Sequence, residues 1–185
     1  RHAYDNVPSY RASFEAVGVT PDDLTTFLID EISLRDKERF TREFPVWHVR
    51  SARDKIARIH ASSGATGQPT EVGYTQNDLK VWGEVVARSL RASGLRSGDI
   101  LHNSYGYGLF TGGLGIQLGA DALGLTTVPI SGGMTQRQVR LISDFEPKSI
   151  TVTPSYILSI LDEFITQELE PRDSSLEVGI FGGEP

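Results

Sequence analysis

Residues 61–70, Ala61-Ser62-Ser63-Gly64-Ala65-Thr66-Gly67-Gln68-Pro69-Thr70, hold three hydroxyls and two glycines within the six positions 62–67. Glycine tolerates positive φ, so successive backbone N–H groups can turn toward one point. A concave run of such donors binds anions, and Ser62, Ser63 and Thr66 add hydroxyl donors to it. The chemistry implied is the cradling of a polyphosphate. The spacing is not that of the Walker loop, G-x-x-x-x-G-K-[ST], because Gly64 and Gly67 stand too close and no lysine follows. Ser and Gly are also ordinary turn residues, so a plain hairpin turn accounts for the same composition.

Two further stretches carry candidate chemistry. Tyr105-Gly106-Tyr107-Gly108-Leu109-Phe110 sets aromatic rings around glycines that leave open volume, where an aromatic ligand can lie edge-to-face. Read as a dinucleotide fingerprint it fails, since the third glycine of G-x-G-x-x-G falls on Thr111 and Asp121 is too near to act as the ribose acid. The plain alternative is that Tyr105 and Phe110 fill core. Gly182-Gly183-Glu184-Pro185 follows an apolar run and reads otherwise as a Gly-Pro turn. The four histidines, His2, His48, His60 and His102, are scattered without metal-pair spacing. His60, beside the 61–70 loop, reads as a structural histidine at a strand end. No Ser–His–Asp arrangement stands out.

The loop at 61–70 resembles the Ser/Thr/Gly loop of the acyl-adenylate-forming enzymes, usually close to S-S-G-T-T-G-K-P. Four stretches together are similar to the phenylacetate–coenzyme A ligases: 60–64, 105–115, 182–185 and the opening Arg1-His2-Ala3-Tyr4-Asp5-Asn6-Val7-Pro8-Ser9-Tyr10. Ala65 and Gln68 replace a Thr and a Lys of the family loop, and Gln68 removes one cation from the phosphate site. Gly183 stands where the family's G-A-E-P has Ala.

The resemblance implies an ATP-dependent conversion of an aryl acid, phenylacetate, to its CoA thioester through an acyl-adenylate. It assigns the ATP phosphates to Ser62, Ser63, Gly64, Ala65, Thr66, Gly67 and Gln68. Adenine falls to Gly183, Glu184 and Pro185, and the aryl acid to Tyr105, Gly106 and Phe110. ATP, Mg²⁺ and coenzyme A are the implied cofactors and co-substrates, and a homodimer the implied assembly. In the family the acidic metal ligand, the ribose aspartate and the catalytic lysine lie beyond Pro185. No catalytic or metal-binding residue is therefore expected here, and the 185 residues alone are expected to be inactive. The alternatives are an adenylating ligase for another aryl or acyl acid, and a non-catalytic nucleotide-binding module.

These loops need elements to hold them. Three short helices are expected in the first fifty residues, near 9–17, 21–27 (Thr20 as N-cap, Pro21 at N1) and 35–44. That segment, 1–54, reads as a helical skirt beside an α/β domain at 55–185. Strands at 55–61 and 71–75 form a hairpin across the phosphate loop. Thr75 with Asp78 resembles a capping box, opening a helix with Leu79, Trp82, Val85, Val86 and Leu90 at helical spacing, which Gly94 stops.

Strand and helix then alternate. Strands fall at 100–104, 126–130, 149–152 and 178–181, the last read as buried. Between them lie a Gly/Ala-rich helix at 110–123, one capped by Thr135 and Gln138 that carries Val139, Leu141, Ile142 and Phe145, and one opened by Pro154 that carries Ile157, Leu158, Leu161, Phe164 and Ile165. Such alternation argues for a mostly parallel sheet flanked by helices. With the resemblance, this is the N-terminal region of the adenylate-forming ligase fold. The glycines at 112, 113, 115 and 119 each cost about 1 kcal/mol in a helix, which close packing against the sheet would explain. Ligands in such sheets bind beyond the carboxyl ends of the strands, and three loops that follow strands, 61–70, 105–110 and 182–185, are expected to converge there on one site.

Composition narrows the classes. Of 185 residues, 38% are hydrophobic and 23% charged, as in a globular protein with a buried core. No apolar run approaches bilayer length, and no signal sequence opens the chain. The absence of cysteine rules out disulfides and cysteine–zinc sites and suits the cytoplasm. A net charge of −6 with scattered Lys and Arg argues against nucleic acid. Arg1 at the start, and a strand with a bare loop at the end, are expected of a truncated chain.

Overall fold

A computed structural model describes residues 1–23, 54–62 and 69–184. The chain divides into two compact units, Arg1–Ile56 with Ala61–Gly73, and Ala57–His60 with Tyr74–Pro185.

In the first unit, α1 (His2–Asn6) and α2 (Pro8–Ala16) follow each other directly. Pro8 opens α2 at its first turn, where a missing N–H costs nothing. Phe14 is buried, and the Tyr4 ring meets it edge-on at 5.5 Å. Thr20 donates from its N–H and its hydroxyl to Asp23 Oδ2, at 2.9 and 2.5 Å. The helix expected from that point runs past residue 23, and the helix expected at 35–44 lies wholly outside the described residues. Strands β1 (Ile56–Ala61) and β2 (Glu71–Thr75) form a two-stranded sheet.

The second unit is built on a four-stranded sheet of β3 (Ile100–Asn103), β4 (Thr126–Val128), β5 (Ser149–Val152) and β6 (Val178–Phe181), in the order β4-β3-β5-β6. Every pairing is parallel, with Leu101 beside Thr127 and Ser149, and Ser149 beside Val178. Helices α3 (Gln76–Ala92) and α4 (Gly112–Leu123) cover one face, α5 (Thr135–Phe145) and α6 (Pro154–Thr166) the other. Leu90, Leu95, Leu101, Ala120 and Leu123 form the first core. Val139, Ile142, Ile150, Val152, Ile160 and Phe164 form the second.

Local signals behave as their chemistry requires. The Thr75–Asp78 capping box is complete: Thr75 N donates to Asp78 Oδ2 at 2.8 Å, and Asp78 N to Thr75 Oγ1 at 3.2 Å. Gly94 ends α3 at φ +100. Packing against the sheet, expected from sequence for most of the α4 glycines, is not what they serve: Gly112 and Gly113 admit the Tyr105–Gly106 segment, and Gly115 and Gly119 let α4 meet α3. A Cβ at Gly115 would stand 2.5 Å from the Trp82 ring of α3, and one at Gly119 would fall onto Val86.

Two further expectations need correction. Thr135 and Gln138 do not cap α5; Met134, at φ +52, is its N-cap and makes no side-chain cap bond. The strand at 178–181 is not buried: it pairs only with β5 among the described residues, and Phe181 is largely exposed. Of the apolar residues read as helical from their spacing, Val85, Phe145, Leu158, Leu161 and Ile165 are all exposed, Ile165 at 63%.

Candidate active site

The carboxyl ends of β3, β5 and β6 bring two of the predicted stretches together. β3 leads into Tyr105, and β6 into Gly182–Glu184. The Tyr105 hydroxyl lies 3.0 Å from the Val152 carbonyl at the end of β5 and 3.0 Å from the Gly182 carbonyl beyond β6. A phenol has one proton to donate, so the two carbonyls share it. Burial raises the Tyr105 phenol above its ordinary range, the Gly182 bond opposes that shift, and the Glu184 charge adds to it. Tyr105 is therefore a neutral donor that ties the 105–110 loop to the 182–184 segment.

Glu184 is anchored by a second partner. Its carboxylate accepts from Ser155 N at 2.8 Å and from Ser155 Oγ at 2.5 Å. Thr153, the N-cap residue of α6, makes no side-chain cap bond, so Glu184 supplies an acceptor for a first-turn N–H across 29 residues of sequence. These bonds hold its carboxyl below the usual range, and a negative charge beside a helix N-terminus is itself favourable. Its oxygens are committed to the helix, which leaves the 182–184 backbone as the part able to meet a ligand.

Beneath the 105–110 loop lie two buried amides. Asn103, at 0% exposure, uses all four hydrogen-bonding positions: Oδ1 accepts from Thr151 Oγ1 (2.9 Å) and Tyr105 N (3.3 Å), and Nδ2 donates to Tyr107 Oη (2.7 Å) and the Gly113 carbonyl (3.0 Å). Gln138 is equally buried. Its Nε2 donates to the Ser131 and Gly133 carbonyls, at 2.8 and 3.0 Å. Its Oε1 accepts from His102 Nε2 at 2.5 Å and from Ser104 Oγ at 2.9 Å. That arrangement fixes His102 as the Nε2–H tautomer, and burial lowers its pKa, keeping the ring neutral. Gln138 thereby holds a turn with Ser131 at φ +71 and Met134 at φ +52. Left-handed conformations at such residues cost about 1–3 kcal/mol each and persist only where the surroundings enforce them.

The remaining predicted residues take clear places. Gly106 passes so close to α4 that a Cβ on Gly113 would stand 2.5 Å from the Gly106 carbonyl. Phe110 is 55% exposed and fills no core. Tyr107 turns inward, its hydroxyl donating to Gln117 Oε1 at 2.9 Å. His60 is buried, donates from Nδ1 to the Leu109 carbonyl at 2.9 Å, and packs edge-on against Tyr74 and Trp82, as a structural histidine should. In the first unit, Ser62 N donates to the Thr70 carbonyl, and Ser62 Oγ accepts from Thr70 N, both at 3.0 Å. Ser63, Gly64, Ala65, Thr66, Gly67, Gln68 and Pro185 lie outside the described residues. Among the described residues no three Asp, Glu or His side chains converge on a metal position.

Sequence reading missed Asn103, Gln138 and Ser155. Asn103 did carry a signal, a polar residue at the end of an apolar strand whose following loop lines the carboxyl edge. Gln138 carried none, since it was already read as a helix cap, and nothing marks Ser155 among the serines of the sequence.

No family model matches the sequence. Curated relatives do, along the whole of this chain. The phenylacetate–coenzyme A ligase of Aromatoleum evansii is 53% identical over 186 residues, that of Pseudomonas putida 52%, and that of Escherichia coli K12 48% over 188 residues. The chain spans about 42% of the length of the first two. Among solved structures, 2-hydroxyisobutyryl-CoA ligase with 2-HIB-AMP and CoA bound matches at a TM-score of 0.86 and 24% identity in an open conformation, and at 0.85 and 25% in the thioesterification state. All of this chain is covered in both cases, against 44% and 41% of those chains. The fold is that of the adenylate-forming CoA ligases. By sequence, the whole chain is similar to the amino-terminal portion of the phenylacetate–coenzyme A ligases, at 48–53% identity.

Proposed function

We propose that this chain supplies acid- and nucleotide-facing parts of a ligase that activates an aryl acid, phenylacetate, with ATP and passes the acyl group to coenzyme A. The observation that carries the reading is the Tyr105–Gly182 tie, found in a chain 48–53% identical to phenylacetate–coenzyme A ligases. It joins the loop assigned to the acid and the segment assigned to adenine at the carboxyl edge of a parallel sheet, where ligands of such sheets bind.

In the first half-reaction a carboxylate oxygen of the acid attacks the α-phosphorus of ATP, and pyrophosphate leaves. In the second, the thiolate of coenzyme A attacks the acyl carbon, and AMP leaves. Both steps depend on holding the reacting groups in register. Tyr105 and Phe110 meet the ring of the acid, with Gly106 leaving room between them. The backbone at Gly183 and Glu184, with Pro185, meets the adenine. Residues 62–68 receive the phosphates through N–H and hydroxyl donors, as stabilisation of developing charge requires.

Mg²⁺ would neutralise phosphate charge when bound, and its ligands are assigned to the rest of the protein. The reading includes a cytoplasmic homodimer, supported by the family resemblance. Among the described residues no helix is long and apolar enough to cross a membrane. Incubating the full-length protein with ATP, Mg²⁺ and phenylacetate, with mass detection of phenylacetyl-AMP, tests the reading. The adenylate is expected to accumulate and to disappear on addition of CoA. No adenylate with any acid would overturn it.

A further inference from the structure

We propose that Asn103 is the positioning residue of the acid-facing loop, the side chain that sets where Tyr105 stands and hence which acids are accepted. The proposal rests on the reading that Tyr105 and Phe110 meet the acid.

The loop at 105–110 has little packing of its own to fix it. A Cβ added at Gly106 or at Gly108 would meet nothing within 4 Å, and Leu109 and Phe110 are more than half exposed. Its conformation is held from below by hydrogen bonds, and Asn103 makes the central ones. One amide receives the Tyr105 N–H, donates to the Tyr107 phenol and donates to the Gly113 carbonyl at the start of α4. The two tyrosines are thereby sent apart. Tyr107 points down to Asn103 and Gln117, whereas Tyr105 lies over Gly112, 3.4 Å from the position of a Cβ there, and reaches Gly182.

The orientation of the amide is fixed by its surroundings. The parallel register sets Asn103 beside Thr151, whose hydroxyl donates to Oδ1. Nδ2 therefore faces the Tyr107 hydroxyl and the Gly113 carbonyl. Aspartate has the same shape but only acceptors when ionised, so it cannot serve these two positions. A displacement of about 1 Å in a positioning group costs as much as 10²-fold in rate, so small movements of Tyr105 register in turnover.

The test uses the full-length protein with Asn103→Asp and the milder Thr151→Val. Turnover of phenylacetate and of hexanoate, the KM for ATP, and amide hydrogen exchange across 104–113 are measured together. Asn103→Asp is expected to lower kcat/KM for phenylacetate about tenfold more than for hexanoate, a modest share of what misplacement can cost. The KM for ATP should rise as well, by less than removal of the Tyr105 hydroxyl would cause, because a displaced Tyr105 weakens its bond to the Gly182 carbonyl without abolishing it. Thr151→Val should move the same ratio in the same direction by about threefold, as the loss of one of four bonds would. Equal losses for both acids, or an unchanged ratio in Thr151→Val, would overturn the proposal. Should the wild-type protein adenylate no acid, the functional reading fails on its own. Exchange across 104–113 then decides for Asn103: faster exchange in Thr151→Val with 136–145 unchanged supports positioning of the loop, and unchanged exchange refutes it.

Discussion

Replacing Tyr105 by phenylalanine keeps the ring that the acid would meet and removes one hydroxyl. That hydroxyl spans the Val152 and Gly182 carbonyls at 3.0 Å each. With one proton shared between two acceptors, the loss counts as one hydrogen bond, about 1 kcal/mol net, rising toward 2 if a carbonyl is left dry. If that energy holds the 182–184 segment in place for adenine, the KM for ATP rises about 5–30-fold, the factor that 1–2 kcal/mol represents. Phenylacetate, whose contacts lie with the ring, changes far less. The assay is steady-state adenylate formation by the full-length protein, varying ATP at saturating acid and acid at saturating ATP, with urea denaturation in parallel. An unchanged KM for ATP would refute the reasoning. If stability still fell by 1–2 kcal/mol, the tie would be part of the fold alone.

Other expectations follow from the same geometry. Gly119→Ala drives a methyl into Val86 and to 3.0 Å from the Ala87 N, so α3 and α4 must separate at a cost of about 1–3 kcal/mol, read by urea denaturation. Gln138→Leu leaves the Ser131 and Gly133 carbonyls and the His102 N–H without their partner, a loss on the order of 3 kcal/mol for buried unpaired groups, measured the same way. The Glu184 carboxyl is held below its ordinary value of 4.5 by Ser155. Its contribution is present above the ordinary glutamate range and is lost as pH falls through the lowered folded value. The protection of the 153–157 amides, their exchange measured against the intrinsic rate at each pH, should therefore fall in acid in the wild type and should lose that step in Ser155→Ala.

Much of the fold is written in local signals, because those signals act within a few residues. The Thr75–Asp78 box, the Gly94 stop and Pro154 at the start of α6 each do their work within one turn. The alternation of strands and helices after residue 100 leaves little choice but a parallel sheet. What escaped reading depends on partners far away in sequence. Gln138 resembles a cap residue until His102, 36 positions earlier, claims its carbonyl. Glycine in α4 signals close approach but not the approaching body, which is the Tyr105–Gly106 segment at Gly112 and Gly113 and α3 at Gly115 and Gly119. Periodicity marked Leu158, Leu161 and Ile165 as one apolar set, yet spacing cannot say what packs on a face, and these three stay exposed. The stretches at 105–110 and 182–184 were legible as types and spacings. The tie through Tyr105 was not, since nothing in a tyrosine announces a carbonyl 77 residues away.

Adenylation of an aryl acid is reversible up to pyrophosphate release, so pyrophosphate exchange reads it without the second half-reaction. The full-length protein is incubated with ATP, Mg²⁺ and labelled pyrophosphate, with phenylacetate, benzoate, a fatty acid or no acid. Label is expected to enter ATP with phenylacetate and to stay at background without acid. Background label with every acid, from protein shown to be folded, would mean that the protein does not adenylate aryl acids.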